Sequence, residues 1–121
     1  MKRVTAFAVL LVVLAAPACT VYDEGLAAAK RGDYATALRE WRPLAEQGYA
    51  MAQFNLGVMY AKGHGVTTDY VQAHMWFNLA AAQGDKKAVK GLNIIARGMI
   101  PAQIAEAQRL AREWMAAHQK K

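Results

Sequence analysis

Few side chains in this sequence are of a type that carries chemistry: three histidines, one cysteine and a few neighbouring carboxylates. His64, His74 and His118 stand at no metal-ligand spacing, no His-Glu-x-x-His occurs, and the lone cysteine offers them no thiolate pair. Gly63-His64-Gly65 has the look of a phosphate cradle, but a single G-x-G without a preceding strand is explained by a turn that needs unusual backbone angles. Glu40 with Glu46, and Glu106 with Glu113, are the acid pairs. The second pair shares a helix face with Arg109 and Arg112, the pattern of a solvated, salt-bridged surface. No Ser-His-Asp or Cys-His set stands out. The chain reads as a non-enzyme that needs no cofactor and no metal.

The elements around these residues repeat. Gly32–Gly48 and Thr68–Gly84 align at an offset of 36 residues: Asp33 with Asp69, Tyr34 with Tyr70, Ala37 with Ala73, Ala45 with Ala81, Gln47 with Gln83 and Gly48 with Gly84. Trp41 falls opposite Phe77, and the register continues through Ala52 with Ala88 and Leu56 with Leu92. A fixed period of roughly 20–50 residues marks a stacked-repeat architecture. Each Asp starts a helix by accepting from free backbone N–H groups, and each Gly stops one. This predicts helices over 25–31, 33–47, 50–62, 69–83 and 85–98, and a last one from Pro101 that acts as a cap. Pro43 should kink or loosen the second. Gly57, unfavourable inside a helix, suggests a neighbour crossing close by. Residues 19–24 are expected as a linker or tether, 25–118 as the repeat domain and 119–121 as a frayed tail.

Residues 1–18 have the form of a signal peptide. Lys2 and Arg3 precede the apolar run Val4–Ala16, and Ala16-Pro17-Ala18 is a small-x-small cleavage site. The run is shorter than the roughly 20 residues a spanning helix needs. Cleavage would leave Cys19 first, and its environment then resembles a bacterial lipoprotein precursor, although Ala16 stands where that family usually has leucine. The resemblance implies lipid on Cys19, with export to the periplasm and attachment to the outer membrane; ordinary secretion with a free thiol is the alternative.

Charge divides the rest. Thr20–Asp85 carries five basic and seven acidic residues, whereas Lys86–Lys121 carries eight basic and two acidic. The basic half, through Lys86, Lys87, Lys90, Arg97, Arg109 and Arg112, offers a way to hold anionic envelope polymers or lipid. Solubility alone also explains such a surface, and export argues against nucleic acid.

The run Ala52-Gln53-x-x-Leu56-Gly57-x-x-Tyr60-x-x-Gly63-x-Gly65-Val66-x-x-Asp69-Tyr70-x-x-Ala73-x-x-Trp76-x-x-x-Ala80-Ala81-x-Gln83-Gly84 resembles one complete Sel-one-like repeat (SLR), a relative of the tetratricopeptide repeat. Gly25–Gly48 resembles a shorter unit and Asp85–Trp114 a degenerate closing one. The resemblance implies an all-α, right-handed superhelix (solenoid) of about three antiparallel helix pairs, and a role in holding other proteins together. A monomer that binds a protein or peptide partner in the envelope is expected. Asn55, Met59, Lys62 and Asn78, beside the buried stripes, are the candidate partner-binding residues.

Overall fold

The three aspartates cap the helices that follow them. Asp33 Oδ1 accepts from the Thr36 amide at 3.2 Å, Asp69 Oδ1 from Gln72 at 3.1 Å and Asp85 Oδ1 from Ala88 at 3.1 Å, each satisfying one orphan donor of a helix start. The computed structural model describes residues 17–119. Six helices follow in order: α1 Ala18–Lys30, α2 Tyr34–Glu46, α3 Ala50–Lys62, α4 Tyr70–Ala82, α5 Lys86–Ala96 and α6 Pro101–His118. Among the described residues there is no strand. The 36-residue period is written in the backbone too: Gly48 and Gly84, equivalent in the repeat, both have φ of +98°.

Helices α1 with α2, and α3 with α4, form close hairpins, and α2 packs on α3 to stack them. The third pair is open. Backbones α5 and α6 each lie against α4 rather than against one another. Met99, Ile104 and Ala107 join the cluster built on Ala73 and Phe77, so side chains fill the space beside α4. Helix α4 is therefore central, with Ala73, His74, Met75, Trp76, Phe77, Leu79 and Ala80 all buried. Burial on nearly every face makes a helix read as uniformly apolar rather than striped.

Two apolar clusters result. One gathers Trp41, Leu44, Leu56, Met59, Trp76 and Leu79 between the two hairpins, and the other gathers Phe77, Ala88, Ile95 and Met99 around α4 and α5. Aromatics on the even-numbered helices key the stack together. A Cβ on Gly25 of α1 would collide with the Trp41 ring, and one on Gly57 of α3 with the Phe77 ring. The close crossing expected at Gly57 is this contact.

The structure departs from the sequence reading at the start of the first helix. Helix α1 begins at Ala18, so residues 19–24 are helical and not a linker. Val21 and Tyr22 pack on the core, the Tyr22 carbonyl accepts from Trp41 Nε1 at 3.1 Å, and its ring stacks on Trp41 with centroids 5.7 Å apart. Helix α2 runs through Pro43 to Glu46, as the helix expected over 33–47 requires. Pro43 and Arg39 both face solvent, so water can serve the carbonyl that the proline leaves without its donor. Residues 1–16 of the expected signal peptide and the last two residues of the expected tail lie outside the described residues.

Candidate functional site

An apolar recess runs between α3 and α5. Because both helices are the first members of their pairs, they lie side by side with α4 behind them. Phe54, Val58 and Ala61 form the α3 wall, Ile94 and Ile95 the α5 wall, and Phe77 of α4 the floor. The groove holds about 630 Å³. Gly91 keeps it open: a Cβ there would stand 3.0 Å from the Phe77 ring. Ile94 is 65% exposed, a large aliphatic side chain held out at the lip.

The lip is basic. Lys62 closes the C-terminal end of the α3 wall, and Lys87, Lys90 and Arg97 line the α5 side. Among the described residues, no carboxylate lines this groove. Lys87 Nζ lies 5.4 Å from the centroid of the Phe54 ring, so an aromatic face is its neighbour inside the groove. The ion pairs among the described residues lie elsewhere, at Arg31–Asp33, Arg109–Glu106, Arg109–Glu113 and His118–Glu46.

The residues named from sequence scatter around this site. Lys62 is on the lip. Met59, taken there as a groove contact, is 3% exposed and packs in the cluster with Leu56 and Trp76, so it is core. Asn55 faces the other way: its Nδ2 donates to the Tyr22 hydroxyl at 2.9 Å and ties α3 to α1. Asn78 is half-buried on α4 and lines none of the groove. Of the basic set, Lys87, Lys90 and Arg97 belong to the lip, whereas Arg109 is engaged by Glu106 and Glu113, which hold its guanidinium firmly charged. Lys86 and Arg112 are exposed and line no part of the groove. Sequence reasoning missed Phe54, Val58 and Ile94. The signal was present: Phe54 and Val58 are four apart and mark a second apolar stripe on α3, beside the one through Ala52, Leu56 and Met59.

The histidines occupy three unrelated settings. His64 stacks on Tyr34 with ring centroids 4.1 Å apart, which docks the Gly63–Gly65 turn on the start of α2. His118 stacks on Trp114 at 3.6 Å, beside Glu46. His74 is 5% exposed, its Nδ1 has no partner, and burial pushes its pKa below the usual histidine value.

A stack of antiparallel helix pairs with a groove between successive first helices defines an α-helical repeat protein. A family model described as the Sel1 repeat matches residues 50–85, which cover α3, the glycine turn and α4. A protective antigen present in uropathogenic Escherichia coli strains, whose crystal structure displays an SLR fold, superposes with a TM-score of 0.74 at 28% identity. The match covers 83% of this chain and 22% of that one, so the chain spans about a fifth of that protein's length. No curated protein matches. The chain carries a Sel1 repeat and has the SLR helical-repeat fold, as the motif in residues 52–84 implied.

Proposed function

We propose that this chain is a non-enzymatic adaptor of the bacterial envelope, which holds a segment of a partner protein in the groove between α3 and α5. The observation that carries this reading is the apolar trough of Phe54, Val58, Phe77 and Ile94, kept open by Gly91 on rigid helices. Exposed apolar surface rimmed by polar groups is the form of a protein-binding site. Residues 1–18 supply the export signal and Cys19, exposed in the first turn of α1, the point of lipid attachment. With α1 starting at Ala18, a lipid there would hold the folded domain against the membrane with no flexible tether between them. The domain acts as a monomer.

A second reading draws on the basic lip: Lys62, Lys87, Lys90 and Arg97 would hold anionic polymers or lipid headgroups by charge alone. Envelope extract passed over the immobilised protein and its Ile94→Asp variant separates the two. Ile94 is a lip residue, so the variant keeps the core intact. A discrete protein retained at about 0.3 M salt, where the Debye length is below about 6 Å, and lost with Ile94→Asp supports the adaptor. Glycan or lipid captured equally by both forms, and at low salt alone, replaces it with the second reading.

A further inference from the structure

The cations are placed at the two ends of the groove. Helices α3 and α5 run side by side in the same direction, so their starts share one end and their finishes the other. Lys87 stands over Phe54 near the start of both helices. Lys62 is the last residue of α3, and Arg97 caps α5, at the opposite end. Between Lys87 and Arg97 the helix rises about 15 Å at 1.5 Å per residue. The stretch between them is walled by Val58, Ile94 and Ile95, with Phe77 beneath. A ligand matching this pattern is apolar in its middle and negative at both ends.

We infer that the groove takes a short partner segment with two or three apolar residues flanked on both sides by Asp or Glu. This rests on the adaptor reading above and adds the partner's chemistry. About five residues in extended form span the distance at about 3.3 Å each, which places one carboxylate near Lys87 and Lys90 and the other near Lys62 and Arg97. The apolar side chains supply the contact area, and the acidic ends fix the register and repel no like charge, since no carboxylate among the described residues lines the groove.

Three fluorescein-labelled peptides test this by anisotropy on the purified protein. Each carries Leu-Val-Leu flanked on both sides by two Glu, two Gln or two Lys residues. The Glu peptide should bind about tenfold tighter than the Gln peptide, from several exposed ion pairs of modest strength each. The Lys peptide should bind weakest, and the gaps should narrow at about 0.3 M salt. The double variant Lys87→Glu with Arg97→Glu should reverse the order while its circular dichroism stays that of the parent. Ile94→Asp should weaken the Glu and Gln peptides alike. Equal binding of the Glu and Gln peptides, still sensitive to Ile94→Asp, would overturn the acidic-end assignment and leave the groove as a binding site. No binding of any peptide, with the protein sedimenting on phosphatidylglycerol vesicles, would overturn both in favour of a lipid surface.

Discussion

The Phe77 ring is lodged between two glycines that belong to different repeats, Gly57 of α3 and Gly91 of α5. One aromatic thus sets the separation of the two helices that wall the groove, and the lack of a side chain at Gly91 leaves the ring as its floor. The equivalent aromatic of the preceding repeat, Trp41, meets Gly25 of α1 and donates to the Tyr22 carbonyl at 3.1 Å. The repeat conserves a mechanical part, an aromatic key set into a glycine slot, while the ring itself changes.

The two Phe77 glycines should respond differently to alanine. At Gly57 the new methyl overlaps the buried ring, and overpacking costs about 1–3 kcal/mol against about 1 kcal/mol gained in helix propensity. Gly57→Ala should lower the urea midpoint. At Gly91 the contact of 3.0 Å needs a shift of a few tenths of an ångström, and the propensity gain offsets it. Gly91→Ala should leave stability nearly unchanged and weaken groove binding. Equal destabilisation by both would show that the ring is not seated as described.

Gln53 is fully buried and ties three elements together. Its Nε2 donates to the Ala45 carbonyl at 3.1 Å, and its Oε1 accepts from Gln83 Nε2 at 3.0 Å, which also donates to the Gly48 carbonyl at 2.8 Å. This network joins the end of α2, α3 and the end of α4. Gln53→Met keeps the volume and removes the bonds, and should cost about 1–2 kcal/mol, within the range for leaving buried polar partners unpaired. Chemical denaturation of the variant measures this directly.

His74 makes the fold sensitive to mild acid. Its pKa is lowered by burial, so the unfolded chain binds the proton more readily than the folded one. The folded state keeps its full stability above the ordinary histidine value of 6.5 and loses it progressively as pH falls below that value. His74→Leu should remove this slope, and should also relieve the unpartnered Nδ1. Thermal melts from pH 7.5 to 5 on both proteins give the comparison; parallel curves would remove His74 as the cause. Asp33 acts lower on the scale. The Thr36 hydrogen bonds hold its pKa below 3.8, so the cap persists above that value and is lost as pH falls through the depressed one.

What was legible in the sequence was local or periodic. Asp33, Asp69 and Asp85 announce helix starts because a cap acts across three residues. The span of α3 follows from its stripe and from Gly63, which takes the left-handed conformation with φ of +74°. Met59 was misplaced because periodicity identifies a stripe but not which neighbour covers it. The groove was illegible for the same reason. Phe54 and Val58 become a wall only once α5 is set beside α3, and Lys62, Lys87, Lys90 and Arg97 converge only across 35 residues of chain.

The start of α1 is the other feature that the sequence reading missed, and it yields a sharp prediction. Residues 18–24 carry only a short stripe, Ala18, Val21 and Tyr22, and their helix is held by partners 19 and 33 residues away, Trp41 Nε1 on the Tyr22 carbonyl and Asn55 Nδ2 on the Tyr22 hydroxyl. A chain beginning at Gly25 loses both bonds, the Tyr22–Trp41 stack and the packing of Val21. It should be less stable than a chain beginning at Cys19 by about 2 kcal/mol or more, from one aromatic side chain's burial and two hydrogen bonds. Tyr22→Phe isolates the Asn55 bond and should cost about 1 kcal/mol. Melting the three proteins side by side decides it: equal midpoints for the chains starting at Cys19 and Gly25 would return residues 19–24 to the status of a tether.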